Sequence, residues 1–454
     1  MTDRFSRESA RRAAASLFAG VSALALVPAA SAAQAVPAAD TVRAAAPAQP
    51  ETRVTLDEAV RRSLEASPAV AQGAGTVRSA RAGERSAKGA FLPTLSASAS
   101  SSLGATQQLG SQTGLGDGFA DAYGAGISAS VPVYTGGRRT AELRQARAET
   151  SAAEATLEAQ RFDVVLATKR TFFDVLRADE LIRVSDAQVK RAEEALEAAE
   201  LRLRVGSATR SDVLRARLEL NDARQALAQA RSDREVAGFA LGRAVGAPGP
   251  VAAEQSEPLR PTPLAVPAES LAALVTTRAP AVRAEAAGVT AAEAGMSAAR
   301  AQYRPTVTLG TGADWANQDP TLAGNANWDL RLGVSIPLFD GFQREAGVER
   351  ARVQADVARV QLADAERAAR AGLERTLSAL RLAEQRIGLA EEAVQVAEED
   401  LRVQDQRYRM GSSTMLERLA SQTALTQAES DLVAARYDYQ LARAELEALV
   451  GREL

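Results

Sequence analysis

The chain says nearly the same thing twice, so its fold must accommodate two copies of one plan. Val131-Pro132-Val133-Tyr134-Thr135-Gly136 returns 205 residues later as Ile336-Pro337-Leu338-Phe339-Asp340-Gly341. Gly206-Ser207-Ala208-Thr209 returns at the same offset as Gly411-Ser412-Ser413-Thr414, and Gly246 is matched by Gly451. Upstream the offset is 212, carrying Pro68-Ala69-Val70 to Pro280-Ala281-Val282 and Pro93-Thr94 to Pro305-Thr306. The seven-residue difference must lie between Pro93 and Pro132. Duplication on this scale predicts a two-repeat architecture.

Each copy passes through the same order of patterns. Residues 55 to 88 read as a helix, opened by Thr55 with Glu58 at capping-box spacing. From Pro93 the period drops to two. Leu95, Ala97 and Ala99 share one face and Ser96, Ser98 and Ser100 the other. The return strand sets Tyr123, Ala125, Ile127, Ala129, Val131 and Val133 against Gly124, Gly126, Ser128 and Ser130. In the second copy Val307, Leu309 and Trp315 share a parity, as do Trp328, Leu330, Leu332, Val334, Ile336 and Leu338. Turn residues at 110–118 and 318–327 mark the hairpin loops.

The stretches from Gly137 to Val205 and from Phe342 to Met410 hold no proline. Each reads as one helix of about 70 residues, roughly 100 Å long. A heptad seam runs along both. Val175, Ile182, Val189, Leu196 and Leu203 alternate with Ala178, Ser185, Ala192 and Ala199; Leu380, Ile387, Val394, Leu401 and Tyr408 alternate with Ala383, Ala390 and Ala397. That is a coiled coil of close-packed helices. The shorter helices before the strands and after each glycine turn, placed end to end, match the long helix beside them.

The expected division is therefore a first repeat over 53–247 (strands about 91–134, long helix to 205, helix 207–246), a proline-rich linker at 248–268, and a second repeat over 269–452 (strands about 303–339, long helix to 410, helix 412–450). Residues 1–32 read as a signal peptide: Arg4, Arg7, Arg11 and Arg12, an apolar stretch from Ala13 to Val27, then Ala30-Ser31-Ala32. The general secretory route fits better than twin-arginine export, and an uncleaved anchor is the competing reading. Residues 33–52 read as a disordered leader to an exported chain.

Composition excludes several chemistries. The net charge of −3 gives no basic field for nucleic acid. The chain has neither cysteine nor histidine. Disulfides, thiolate metal sites, a lipidated N-terminal cysteine and the commonest general base are thereby removed. No phosphate-binding loop or nucleophile-base set is visible, so neither an enzyme nor a cofactor is expected. No run of about 18 apolar residues follows the signal peptide.

Four strands with one small polar face and one apolar face suit the wall of a membrane barrel, yet four cannot close. Open edges in lipid would leave backbone groups unpaired. Other copies must complete the barrel, with eight strands in a dimer or twelve in a trimer, and a Ser- and Gly-lined lumen favours the wider one. Phe91, Tyr134, Tyr303 and Phe339 stand where strands meet helices, as in an interfacial aromatic girdle. Ordinary packing at a strand-helix junction would place them there too.

These features together resemble the TolC-type outer membrane efflux factors, over about residues 54 to 451. The resemblance rests on the duplicated repeats and, in order, on the Phe91-Leu92-Pro93 strand entry, on the paired exits Val131-Pro132-Val133-Tyr134 and Ile336-Pro337-Leu338-Phe339, on Gly136 and Gly341, and on the paired turns Val205-Gly206-Ser207-Ala208-Thr209 and Met410-Gly411-Ser412-Ser413-Thr414. It implies an α+β membrane protein: a homotrimer whose 12-stranded outer-membrane β-barrel continues into a long coiled-coil α-barrel in the periplasm. It also implies a passive exit duct, docked on a periplasmic adaptor (membrane fusion protein) and an inner-membrane pump.

By resemblance, the adaptor contacts fall on Val205, Gly206, Ser207 and Thr209 and on Met410, Gly411, Ser412 and Thr414. Tip gating falls on Asp212 and Tyr408 as a linked pair, with Glu417 at a constriction. The family's partner arginine aligns with Ser413 and its second constriction acid with Ala420. Asp212 and Glu417 also read as plain helix-start acids, and the glycine turns as plain connections. Efflux, metal export and type I secretion use similar ducts; family frequency favours small molecules. The rival class is an exported coiled-coil scaffold or adaptor without a channel, which would need no lipid-facing strands.

Overall fold

The computed structural model describes residues 52–106, 118–255, 268–317 and 325–452. The signal peptide, the leader up to residue 51, most of the linker and most of both hairpin loops lie outside the described residues.

The first repeat runs β1 (Thr52–Val54), α1 (Leu56–Ala66), α2 (Pro68–Gly89), β2 (Thr94–Thr106), β3 (Gly118–Tyr134), α3 (Arg138–Arg204), α4 (Arg210–Ala244) and β4 (Val251–Ala253). The second runs α5 (Ala268–Arg278), α6 (Pro280–Ala301), β5 (Thr306–Asn317), β6 (Asn325–Ser335), α7 (Gln343–Arg409) and α8 (Met415–Val450). The helix expected over 55–88 is in fact two. Pro68 disfavours helical geometry in the residue before it, and Ser67 is extended, with φ −67° and ψ 122°. Ser67 then caps α2, its hydroxyl accepting from the Val70 amide, with Pro68 at the first helical position, where a missing donor costs nothing. Pro280 divides α5 from α6 in the same way.

The long helices α3 and α7 have 67 residues each, or about 100 Å at 1.5 Å per residue. Helices α1, α2 and α4 lie along α3, while α5, α6 and α8 lie along α7. The joint between α1 and α4 has a device of its own. Strands β1 and β4 pair in parallel, Thr52 opposite Val251, over a core of Val54, Leu241, Val245, Val251, Val175 and Tyr437. Gly246 at this joint has φ 72° and would bring a Cβ within 2.7 Å of Ala66 Cβ. Glycine is required there for both reasons.

Most of the heptad seam is covered: Val175, Val189, Ala192 and Ala199 on α3, and Leu380, Ala383, Ile387 and Tyr408 on α7, are buried. Leu203 breaks the pattern by standing exposed. The repeats join through α3, which packs against both α6 and α8. Lys169 pairs with Glu447 at 2.5 Å, and Arg191 forks onto Glu429 at 2.7 and 3.0 Å.

Helices α4 and α8 start three residues later than expected, at Arg210 and Met415. Gly206–Thr209 and Gly411–Thr414 form the turns instead. Strand β6 also ends early, at Ser335. Ile336 and Leu338 therefore lie beyond it, because β5 begins at Thr306, opposite Ser335, and Pro337 has no amide to extend the ladder.

Candidate functional site

Strands β2, β3, β5 and β6 form one antiparallel sheet in that order. Its register aligns the four alternations. One row carries Leu95, Ala129, Thr311 and Leu330; the next rows on that face add Ala97, Ile127, Ala313 and Trp328, then Val131, Leu309 and Leu332. The opposite face carries Ser96, Ser128, Gly312 and Asp329 in one row, and Ser98, Gly126, Asp314 and Asn327 in another. Ser96 and Ser128 share a hydrogen bond of 2.8 Å.

The apolar face is bare in the single chain, with Leu332 67% and Trp328 71% exposed. Water cannot be its solvent on this scale. The polar face holds three charges that the alternation argument passed over. Asp314 and Asp329 flank Gly312, and Arg331 lies 3.5 Å from Asp329. Charges in mid-strand belong on a water-filled side. Val133 is a correction to the sequence reading. A bulge skips it, so that Tyr134, rather than Val133, stands opposite Val307 on the apolar face.

At the sheet's base the aromatics carry duplicated cation-π contacts. Arg139 lies 4.9 Å from the Phe91 ring centroid and Arg344 lies 5.0 Å from that of Tyr303. Arg139 also donates to the Ala90 carbonyl, and Arg344 to that of Pro337. Phe339 packs edge-on against Phe342. All four predicted aromatics, Phe91, Tyr134, Tyr303 and Phe339, are exposed.

At the other end of the rod, α3 and α7 stop at Gly206 and Gly411, with φ of 78° and 81°. The Ser207 amide donates to the Arg202 carbonyl and the Ser412 amide to that of Arg407, which closes both turns alike. Thr209 and Thr414 then cap α4 and α8. The Asp212 amide donates to Thr209 Oγ1, and Asp212 Oδ2 accepts from the Thr209 amide at 2.9 Å. Glu417 Oε2 accepts from the Thr414 amide at 2.9 Å and from Ser413 Oγ at 2.6 Å. These bonds, Ser413 first, hold the Glu417 carboxyl below its usual range. The turn residues Val205, Gly206, Ser207, Thr209, Met410, Gly411, Ser412 and Thr414 are all exposed.

Tyr408 lies under the tip, 5% exposed. Arg202 stacks over its ring at 4.3 Å and donates to its carbonyl oxygen. Arg418 approaches from α8 while its Nε donates to Asp405 at 2.7 Å. Burial raises the Tyr408 pKa, and the nearby Asp212 charge adds to that rise. The hydroxyl itself has no hydrogen-bond partner among the described residues. Arg202 and Arg418 were not foreseen as tip residues. The recurrence of Arg202 and Ser207 as Arg407 and Ser412, at the 205 offset, was the available signal.

Among the described residues no group of three or more acidic side chains converges to hold a metal ion. The functional geometry is thus a half-lipophilic wall at one end of a helical rod and two exposed turns at the other. The family model of outer membrane efflux proteins matches residues 59–247 and 271–452, one stretch in each repeat. The chain belongs to the outer membrane efflux protein family.

Relatives of this outer membrane efflux protein agree. It is 28% identical to protein CyaE of Bordetella pertussis over 405 residues, 87% of this chain and 81% of that one. It is 32% identical to the outer membrane protein TolC of Escherichia coli over 153 residues, 32% of this chain and 31% of that one. Among solved structures, CusC superposes with a TM-score of 0.78 at 18% identity, covering 87% of this chain and 92% of that one. VceC of Vibrio cholerae gives 0.74 at 20% identity, covering 88% and 96%. The protein is therefore an outer-membrane channel with a periplasmic helical extension.

Proposed function

We propose that three copies of this chain form the passive exit duct of a tripartite export system, each giving four strands to a 12-stranded barrel. The carrying observation is the sheet itself. One face is mostly apolar, with its large side chains bare, and β2 and β6 each have a single hydrogen-bonded neighbour among the described residues. Edges in lipid need partners. A second unfilled seam supports copies side by side: Leu382, Leu389, Val396 and Val403 recur at heptad intervals on α7, all exposed. Covering each is worth about 1.5–3 kcal/mol. A coiled-coil scaffold without a channel would have no use for the apolar sheet.

The exposed turns at Val205–Thr209 and Met410–Thr414 are the proposed docking points for an adaptor's helical hairpin, beneath an inner-membrane pump that supplies the energy. Small residues leave a groove for such a helix. Asp212, Tyr408 and Glu417 are the proposed gate around the tip, where three Glu417 carboxylates would favour cations over anions. Small molecules are the proposed cargo. Similarity to a cobalt-zinc-cadmium resistance protein of Cupriavidus metallidurans and to a pyoverdine export protein of Pseudomonas aeruginosa supports a duct that leaves selection to its pump. The duct role involves no catalytic step.

Planar bilayers test this reading. The purified protein should give discrete conductance steps, and Asp212→Ala should enlarge them. Absence of any conductance from inserted oligomers would refute the duct. In cells, a photoreactive label on Ser412→Cys should capture a periplasmic adaptor encoded beside a pump; capture confined to other envelope proteins would refute docking at the turns.

A further inference from the structure

The duplication makes one contact inside the chain a template for a contact outside it. Arg202 of the first repeat donates to the Tyr408 carbonyl of the second, and also reaches the carbonyl of Ser207 in its own turn, at 3.5 Å. Moving 205 residues along turns Arg202 into Arg407 and Ser207 into Ser412. Arg407 makes the same contact with its own turn, donating to the Ser412 carbonyl at 3.4 Å. The position matching Tyr408 is Leu203, which in a ring of alternating repeats belongs to the neighbouring copy.

Burial supports this mapping. Tyr408 is 5% exposed, whereas Leu203 is 38% exposed. Ala444 of α8 is 3% exposed, whereas its counterpart Phe239 on α4 is 50% exposed. Leu214 on α4 is bare, while its counterpart Leu419 is half-covered against the Tyr408 cluster. Where the second repeat is covered by the first, the first is itself uncovered. The exposed α7 seam supplies the matching surface, since its Val396 occupies the place that Arg191 of α3 takes against α8.

We infer that Arg407 completes the tip between copies, donating to the Leu203 carbonyl of the neighbouring copy as Arg202 donates to that of Tyr408 within the chain. The inference rests on the side-by-side assembly proposed above. It adds that the ring carries two alternating kinds of joint. Joints within a chain stack a guanidinium on a tyrosine; joints between chains offer it only a leucine, without the cation-π contribution. Arg407 is a positioning residue here, holding the copies in register.

Cysteine pairs test this in the otherwise cysteine-free protein, in outer membranes. With a short bismaleimide, Arg202→Cys/Tyr408→Cys calibrates the span and should link within one chain. Leu203→Cys/Arg407→Cys should instead give covalent dimers and trimers, on the order of tenfold over either single variant, because a fixed neighbour presents its thiol at high effective concentration. A cysteine-free gain-of-function variant gives an independent reading. Leu203→Tyr should raise the temperature at which the detergent-solubilised oligomer dissociates, and Arg407→Ala should abolish that gain. A monomeric protein would overturn both the assembly and this joint. A verified trimer whose double-cysteine variant links chains no better than the singles, or whose Leu203→Tyr gain survives Arg407→Ala, would overturn the joint alone.

Discussion

Leu373 in the rod and Leu332 in the sheet are the same side chain in opposite surroundings. Leu373 on α7 is 2% exposed and packs in one cluster with Leu271, Val275, Leu377 and Leu446. Leu332 on β6 is 67% exposed, on a sheet face whose neighbouring rows carry Leu95, Leu330, Ile127 and Trp328. The rod closes much of its apolar surface within one chain, because two long helices bring their own short partners. The sheet closes none, since a strand turns alternate residues outward and only another solvent can cover them. The difference separates what one chain folds by itself from what needs lipid and further copies.

The sharpest way to break this comparison is one substitution made in both places. Leu373→Ala should cost about 2–5 kcal/mol, because a buried cavity remains. Leu332→Ala should cost under about 1 kcal/mol, because lipid refills the space. Reversible urea unfolding in vesicles measures both, and equal losses would mean that the sheet face is packed against protein. Charge sharpens the test. Leu332→Arg should cost about 2–4 kcal/mol in a bilayer, whereas Thr308→Arg, on the polar face in the row of Gly333, should cost under about 1 kcal/mol in the same assay.

Smaller effects probe the tip. Thr414→Ala removes the cap of α8 and should cost about 1 kcal/mol, read as a lower unfolding midpoint. Tyr408→Phe removes a buried hydroxyl that has no hydrogen-bond partner among the described residues. It should leave stability unchanged or raise it by up to about 1 kcal/mol. A clear loss would mean that the hydroxyl is bonded in the assembled ring. The smallest effect is on pH. The Glu417 pKa is lowered in the fold, so its cap is fully present above the ordinary glutamate pKa of about 4.3 and is lost as pH falls below it. A spin label on Ser412→Cys should gain mobility below about pH 4, and Glu417→Gln should remove that dependence.

Sequence patterns reached the fold where a single period governs the residues. Alternation in β2, β3, β5 and β6 named the apolar rows, and the heptads named the seam from Val175 to Leu196. They failed where neighbours decide. Leu203 satisfies the heptad yet stands exposed, since no neighbour among the described residues covers it. The β1–β4 pair, three residues each, is too short to show a period. Val133 was misplaced because a bulge breaks alternation without changing composition. At the tip the sequence pointed to Tyr408, Asp212 and Glu417, whose gating role remains a proposal, and passed over Arg202. An arginine near a helix C-terminus looks like any solvated charge until its target, a backbone carbonyl 206 residues away, comes into view.

The account stands on the claim that this chain is one part of a wall it cannot close alone. Native mass spectrometry of the detergent-extracted protein tests that claim most directly. The prediction is a species of three copies, free of any other subunit. A stable monomer that stays soluble and folded after detergent is withdrawn would contradict it, because the bare face of the sheet would then have found cover within a single chain.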